Sequence, residues 1–140
     1  MSGPPPTARL ATAHRVLVVD DSLDMLESMS LVLRLLGHEV MTASSGEDAL
    51  EVIANWQPHI ALIDVGMPGM SGYELARRVR AGAAPRQAVL IAVTGWGRDA
   101  DRARAAAAGF DRHVVKPVDL PRLEALLSEF PVELAPPVAE

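Results

Sequence analysis

The sequence predicts an α/β protein in which five parallel strands alternate with five helices. Continuous apolar runs recur along the chain, as in strands that are buried on both faces of a sheet. Between them lie segments with apolar residues at helical spacing, most of them opened by Ser or Asp and closed by Gly. Parallel strands need crossover connections, so this alternation indicates a sheet with helices on both faces and right-handed crossovers.

The first strand and helix follow directly from the apolar pattern. An apolar run at 15–19 ends at Asp20 and Asp21, as expected for a buried strand. From Ser22 the apolar residues change to helical spacing, and Gly37 is placed as a C-terminal cap of the first helix.

The second unit repeats this order. A short strand is predicted at 39–43, and the segment 44–47 (Ser-Ser-Gly-Glu) has the spacing of a capping box that opens a helix through about Asn55. The third strand, 60–63, runs into Asp64 and a loop rich in Gly and Pro.

The third helix begins at a second capping-box spacing, 71–74 (Ser-Gly-Tyr-Glu), and stops near Gly82. Its arginines at 77, 78 and 80 are expected to point largely outward. The fourth strand is predicted at 88–93 and ends at Thr94.

The last two units complete the predicted sheet. An Ala-rich helix is expected from Arg98 to Ala108, closed by Gly109. A fifth strand at 112–115 ends at Lys116-Pro117. Asp119 is placed to cap a last helix from Leu120 to about Phe130, which tolerates Pro in its first turn.

Composition limits the classes of function. The 140 residues fit one domain, 15–130, between a flexible leader, 1–14, and a flexible tail, 131–140. There is no Cys, which excludes disulfides, thiolate metal sites and cysteine nucleophiles. No apolar run is long enough for a membrane span or typical of a signal peptide, so we expect a cytoplasmic protein. A net charge of -5 argues against direct nucleic-acid binding.

Five polar residues stand at the carboxyl ends of predicted strands: Asp20, Asp21, Asp64, Thr94 and Lys116, the only lysine beside 12 arginines. In an open parallel sheet these ends form the ligand site, so the five side chains should converge. Three carboxylates need a counter-charge, and a site made of oxygen ligands favours Mg²⁺. Asp64 would then be a nucleophile that forms an aspartyl phosphate, Asp20 and Asp21 would hold Mg²⁺, and Thr94 and Lys116 would offer donors.

Each of these residues also has an ordinary structural explanation. Asp20 and Asp21 could cap the first helix, Thr94 could simply be a β-branched strand residue, and Lys116 could be a solvated surface charge. It is their joint occurrence at the ends of the strands that favours a functional site. The histidines at positions 14, 38 and 59 show no metal-ligand spacing and are interpreted as ordinary surface or strand-end residues.

Four stretches around these residues are specific: Val-Val-Asp20-Asp21-Ser, Asp64-Val-Gly-Met-Pro-Gly-Met-Ser-Gly, Val-Thr94-Gly and Val-Val-Lys116-Pro117. Over about residues 15–130 the chain resembles the receiver domains of bacterial two-component response regulators. The resemblance implies a flavodoxin-like, doubly wound sheet of order 2-1-3-4-5. It also implies that Asp64 accepts phosphate from a histidine kinase or a histidine phosphotransfer protein.

The resemblance implies roles for individual residues as well. Asp21 and Asp64 would coordinate Mg²⁺ directly, Asp20 through water and Gly66 through its backbone carbonyl. The Lys116-Pro117 bond is similar to the family's cis peptide. Phosphorylation would then switch partner binding at the face formed by the fourth helix, fifth strand and fifth helix, where an unknown downstream protein or a second copy would bind.

Two features depart from the family's usual pattern. The switch position, usually Tyr or Phe, is His113, which can titrate. Gly66 and Trp96 occupy positions that influence the access of water to the phosphoryl group, and we expect a long-lived phosphoryl state.

Several functions remain open at this stage. The leading one is a phosphorylation-controlled binding module without an output domain, which is not an enzyme beyond accepting and slowly losing its own phosphoryl group. The chain could instead be the receiver portion of a hybrid sensor histidine kinase. A phosphatase with an Asp nucleophile would usually need a second acid at the position of Gly66. A flavodoxin-like cofactor binder would need aromatic residues in the loops after strands three and four, where only Trp96 stands.

Overall fold

The computed structural model describes residues 13–82, 87–95 and 99–130. Residues 1–12 of the predicted leader, the predicted tail 131–140, Trp96 and Arg98 lie outside the described residues. Ten elements alternate along the described ranges: β1 (Arg15–Val19), α1 (Leu23–Leu35), β2 (Glu39–Ala43), α2 (Gly46–Trp56), β3 (Ile60–Asp64), α3 (Gly72–Ala81), β4 (Val89–Thr94), α4 (Asp99–Ala108), β5 (Arg112–Val115) and α5 (Leu120–Ser128).

The strands form one parallel sheet in the order β2-β1-β3-β4-β5. This confirms the predicted α/β class and the strand order implied by the resemblance. The central strand β3 is buried at all five of its residues, whereas the edge strand β2 exposes three of its five. Continuous apolar runs therefore mark the strands that have neighbours on both sides and helices on both faces.

Two apolar layers cover the faces of the sheet. Alternate residues of each central strand point to opposite faces. On one face, α1 and α5 bury Leu26, Met29, Leu33, Leu123, Leu126 and Leu127 against the sheet. On the other, α2, α3 and α4 bury Ala49, Ile53, Leu75, Ala76, Val79, Ala105 and Ala108. No helix among the described residues is long and apolar enough to cross a membrane.

Short polar residues fix where the helices begin. The side chains of Ser22, Ser71 and Asp119 each accept a backbone N–H three residues further on, as expected for N-caps. The second helix differs from its prediction. Ser45, not Ser44, is its cap and accepts the N–H of Asp48 at 3.1 Å, because the chain enters helical geometry one residue later.

Arg80 also differs from its prediction. It was expected to point outward with its neighbours, but it is half-buried and joins three parts of the fold. Its guanidinium donates to the backbone carbonyls of Gly109 at 2.9 Å and Ala88 at 2.8 Å. It also pairs with the carboxylate of Asp111 at 2.7 Å, and the same carboxylate oxygen accepts the N–H of Leu90 at 2.9 Å. The end of α3 is thereby tied to the start of β4 and to the turn before β5.

Candidate functional site

Three carboxylates meet at the carboxyl end of the sheet. Asp20 and Asp21 follow β1, Asp64 is the last residue of the neighbouring β3, and one ligand oxygen from each lies within 4.8 Å of the others. Asp20 and Asp64 are buried, at 5% and 8% exposure, and Asp21 is exposed. In the part of the chain that the structure describes, this is the only group of three or more acidic, His or Cys residues whose ligand atoms converge.

Backbone amides hold the two buried carboxylates in place. Oδ1 of Asp20 accepts the N–H of Ser22 at 2.9 Å, so the turn that starts α1 also orients this carboxylate. Oδ1 of Asp64 accepts the N–H of Gly66 at 3.1 Å. A Cβ on Gly66 would lie 3.8 Å from the same oxygen, which places the Gly66 backbone directly beside the carboxylate.

Lys116 brings the site's positive charge. Its Nζ lies 3.5 Å from Oδ1 of Asp64 and 3.8 Å from Oδ2 of Asp20. Its N–H donates to the Thr94 carbonyl at 2.8 Å, which extends the pairing of β4 and β5 up to the site, and its bond to Pro117 is cis, as the resemblance implied. One ammonium group thus lies beside two of the three carboxylates.

The charges of the cluster are unbalanced. Burial raises the pKa of Asp20 above its usual value, and the neighbouring carboxylates of Asp64 and Asp21 act in the same direction. The Ser22 N–H and the Lys116 ammonium oppose this rise. A cation among these oxygens would relieve both the repulsion and the lost hydration. The donors are all carboxylate oxygens, which fits a small hard ion such as Mg²⁺.

The other predicted site residues lie on β4 and β5. Thr94 ends β4, is buried at 5% exposure and pairs in register with Val115. His113 lies further down β5, half-buried, where burial lowers its pKa and the nearby guanidinium groups of Arg102 and Arg122 lower it further. His113 is therefore not part of the carboxylate cluster, and lies on the α4–β5 surface beside a cavity of about 80 Å³.

Gly72 is a supporting residue that sequence reasoning noted only as part of a capping spacing. A Cβ at this position would lie 2.6 Å from both the Asp64 carbonyl oxygen and the Val65 Cα. The first residue of α3 thus packs directly on the backbone of the loop that carries Asp64. The sequence signal for this contact was weak, because Gly follows many N-cap serines without such a contact.

Comparison with known proteins gives a consistent result. A model of the family "response regulator receiver domain" matches residues 16–128. The virulence sensor protein BvgS of Bordetella pertussis is 39% identical over 142 residues, which cover 91% of this chain but only 11% of BvgS, so the chain spans a small part of that relative.

Solved structures share the fold over most of their length. The chemotaxis protein CheY4 of Vibrio cholerae is 29% identical with a TM-score of 0.78, covering 82% of this chain and 96% of that chain. The receiver domain of sensor histidine kinase PA1611 of Pseudomonas aeruginosa is 26% identical with a TM-score of 0.76, covering 84% and 96%. That domain was solved with a magnesium ion coordinated in its active site cleft.

Proposed function

The chain belongs to the response regulator receiver domain family, and from this premise we propose that it accepts a phosphoryl group on Asp64 in a Mg²⁺-dependent reaction. The donor is a histidine kinase or a histidine phosphotransfer protein. The observation that carries the proposal is the convergence of three carboxylate oxygens within 4.8 Å, with the only lysine 3.5 Å from Asp64.

The metal ion would be held by oxygen atoms of this cluster. Asp21 and Asp64 would be its direct carboxylate ligands, Asp20 would act through water, and the Gly66 carbonyl would complete the protein's share. When bound, Mg²⁺ neutralises part of the charge on the carboxylates and on the incoming phosphoryl oxygens. The exposure of Asp21 leaves an open side from which a donor can approach.

The two oxygens of Asp64 have different surroundings. Oδ1 accepts the Gly66 N–H and faces Lys116, so it is already engaged by donors. Oδ2 is therefore the oxygen that attacks phosphorus. A new P–O bond forms, the P–N bond of the donor phosphohistidine breaks, and its electron pair leaves with the imidazole. Lys116 and the Thr94 hydroxyl then bind the phosphoryl oxygens.

We infer that the chain is a phosphoryl acceptor and not an enzyme that turns over external substrates. A phosphatase with an Asp nucleophile needs an acid to protonate its leaving group, and the position two residues after Asp64 is Gly66. Gly66 has no side chain to orient an attacking water. A long-lived phosphoryl state is therefore expected, and loss of phosphate within seconds would contradict it.

Phosphorylation would be read at the surface of α4, β5 and α5. The phosphoryl group adds about -1.5 to -2 charge at Asp64 and so draws Thr94 inward. The position of His113 on the same surface makes it the candidate switch residue. Partners there are an unknown downstream protein or a second copy of the chain, and a cytoplasmic location is part of this proposal.

The match to BvgS favours, as the alternative setting, the receiver portion of a hybrid sensor histidine kinase.

The deciding experiment is intact mass after incubation with Mg²⁺ and a small phosphodonor such as acetyl phosphate. We expect the gain of one phosphoryl group, lost on chelation of Mg²⁺ and absent in Asp64→Asn. Glu51→Gln removes one negative charge on the exposed side of α2 and should be phosphorylated like the wild type. No gain of mass, although Mg²⁺ binds, would overturn the proposal.

A further inference from the structure

Three histidines meet at the amino end of the sheet, opposite the carboxylates. His14, His38 and His59 directly precede β1, β2 and β3, which are neighbouring strands. The rings of His14 and His38 are stacked with centroids 5.6 Å apart, and the His59 ring stands edge-on to His14 at 5.8 Å. We call these three residues the histidine cluster. Of the two interpretations given to these histidines, surface or strand-end residues, His14 fits the second, since it directly precedes β1 and is only 3% exposed.

The hydrogen bonds of the cluster require neutral rings. Nδ1 of His38 accepts the backbone N–H of His14 at 2.9 Å, and Nδ1 of His59 accepts the backbone N–H of Arg15 at 3.2 Å. A nitrogen that accepts cannot carry a proton, and a protonated imidazole donates from both nitrogens. Protonation of His38 or His59 would therefore turn each N–H···N bond into a contact between two donors.

His14 connects the cluster to the last helix. The backbone carbonyls of Leu127 and Phe130, at the end of α5, lie against its ring and favour its charged form. Burial outweighs them and lowers the pKa of His14. Its Nδ1 is buried with no hydrogen-bond partner among the described residues. Burial likewise lowers the pKa of His38, and a charge on His14 would lower it further.

Charged groups of the described residues also lie around the cluster. The Arg15 guanidinium donates to the Gln57 carbonyl at 2.6 Å and lies near the ring of Trp56. Glu39 on β2 is exposed. Glu124 on α5 lines, with His38, a cavity of about 140 Å³ that gives water a route to the cluster. A proton that enters by this route therefore meets the Glu124 carboxylate at the cavity, and no carboxylate of the described residues pairs with the buried His14.

We propose that the histidine cluster is a proton-sensitive contact that holds the amino ends of β1, β2 and β3 together beside the end of α5 when its rings are neutral, and that protonation loosens the contact between these strand ends. The unfolded chain binds protons near pH 6.5, whereas the folded cluster binds them only at lower pH. The stabilising effect of the cluster is therefore complete above pH 6.5 and declines as the pH falls below it. Each proton taken up on unfolding changes the unfolding constant by up to tenfold per pH unit.

The test combines histidine NMR titration with urea unfolding of the full chain between pH 5 and 8. In the wild type, we expect the rings of His14 and His38 to titrate below 6.5, and their two protons together to raise the unfolding constant by up to a hundredfold for each unit by which the pH falls. His38→Asn keeps an acceptor for the His14 N–H but cannot titrate. Its unfolding constant at pH 8 should stay within a few-fold of wild type, and its pH dependence should shrink by about one proton.

His113→Asn is the matched control, since it removes the one histidine outside the cluster. It should leave the titrations of His14 and His38 unchanged. The proposal is overturned if both rings titrate at or above 6.5, if His38→Asn keeps the full pH dependence, or if His113→Asn shifts the titrations of His14 and His38. Because the wild-type titration needs no variant, poor folding of His38→Asn would not remove the test.

Discussion

Without a metal ion, neutralising Asp64 should stabilise the fold. Asp64 is buried beside Asp20 and Asp21, and its only cationic neighbour among the described residues is Lys116. Asp64→Asn removes the negative charge but keeps an Oδ1 that can accept the Gly66 N–H. The substitution therefore relieves repulsion and does not remove a hydrogen bond from the backbone.

The expected size follows from the distances. With an effective dielectric constant of about 20, two carboxylates at 4.8 Å repel by roughly 3.5 kcal/mol, and Lys116 at 3.5 Å attracts Asp64 by roughly 4.7 kcal/mol. Asp64 repels two carboxylates and attracts one ammonium, so its net energy in the cluster is unfavourable by about 2 kcal/mol before solvent screening. Asp21 is exposed and Lys116 partly so, which reduces the expected stabilisation to about 1 to 2 kcal/mol.

Urea unfolding in EDTA and in saturating Mg²⁺ measures this effect. Mg²⁺ at one hundred times its dissociation constant should stabilise the wild type by about 2.7 kcal/mol, and Asp64→Asn by much less, so the order of stabilities should reverse. Glu51→Gln on α2 controls for net charge and should stay within about 0.5 kcal/mol of wild type. Destabilisation of Asp64→Asn in EDTA, or an equal gain from Mg²⁺, would refute the reasoning.

Three further predictions concern residues outside the carboxylate cluster. Gly72→Ala should lower the free energy of unfolding by about 1–3 kcal/mol, since its Cβ meets loop backbone at 2.6 Å, whereas Gly82→Ala, with contacts from 3.4 Å, should cost less in the same urea assay. Arg80→Met should cost about 2 kcal/mol through its lost bonds to the partly buried carbonyls of Gly109 and Ala88. Arg77→Met, in an exposed ion pair, should cost about 0.5 kcal/mol or less. The ring of His113 should titrate below 6.5 by NMR, so its share of stability should fall as the pH drops below 6.5; a midpoint at or above 6.5 contradicts this.

The sheet could be predicted from sequence because its strands have a recognisable apolar pattern. Apolar runs of four to six residues, separated by segments of helical spacing, leave few alternatives to a parallel sheet. Strand order was less accessible, since periodicity contains no information about neighbours, and it came from the resemblance alone. The start of α2 depended on which of two adjacent serines accepts the first helical N–H. Backbone geometry selects Ser45 over Ser44, and the spacing of residues in the sequence does not reveal this geometry.

The convergence of Asp20, Asp21 and Asp64 was predictable for a simple reason. Residues that follow parallel strands share one edge of the sheet, whatever the order of the strands. Contacts between distant segments were not predictable in this way. Arg80 forms hydrogen bonds to Gly109 and Asp111, which lie 29 and 31 positions further along the chain. The neighbouring residues 77 and 78 are also arginines, but they lie on the exposed side of α3.

Residues that precede parallel strands also share one edge of the sheet, opposite the carboxylates. Each residue of the histidine cluster directly precedes a strand and therefore lies at this edge. His14 and Asp20 lie at opposite ends of β1, about 20 Å apart at roughly 3.3 Å per residue. At this distance and an effective dielectric constant of about 20, a charge on the cluster acts on one carboxylate by only about 0.8 kcal/mol, so protons on the cluster should affect the carboxylates only weakly. His38→Asn should therefore flatten the pH dependence of stability and leave the Mg²⁺-dependent phosphorylation of Asp64 unchanged at pH 7.5, as measured by intact mass over time. A parallel loss of phosphorylation rate would show instead that the two ends of the sheet are coupled through the strands.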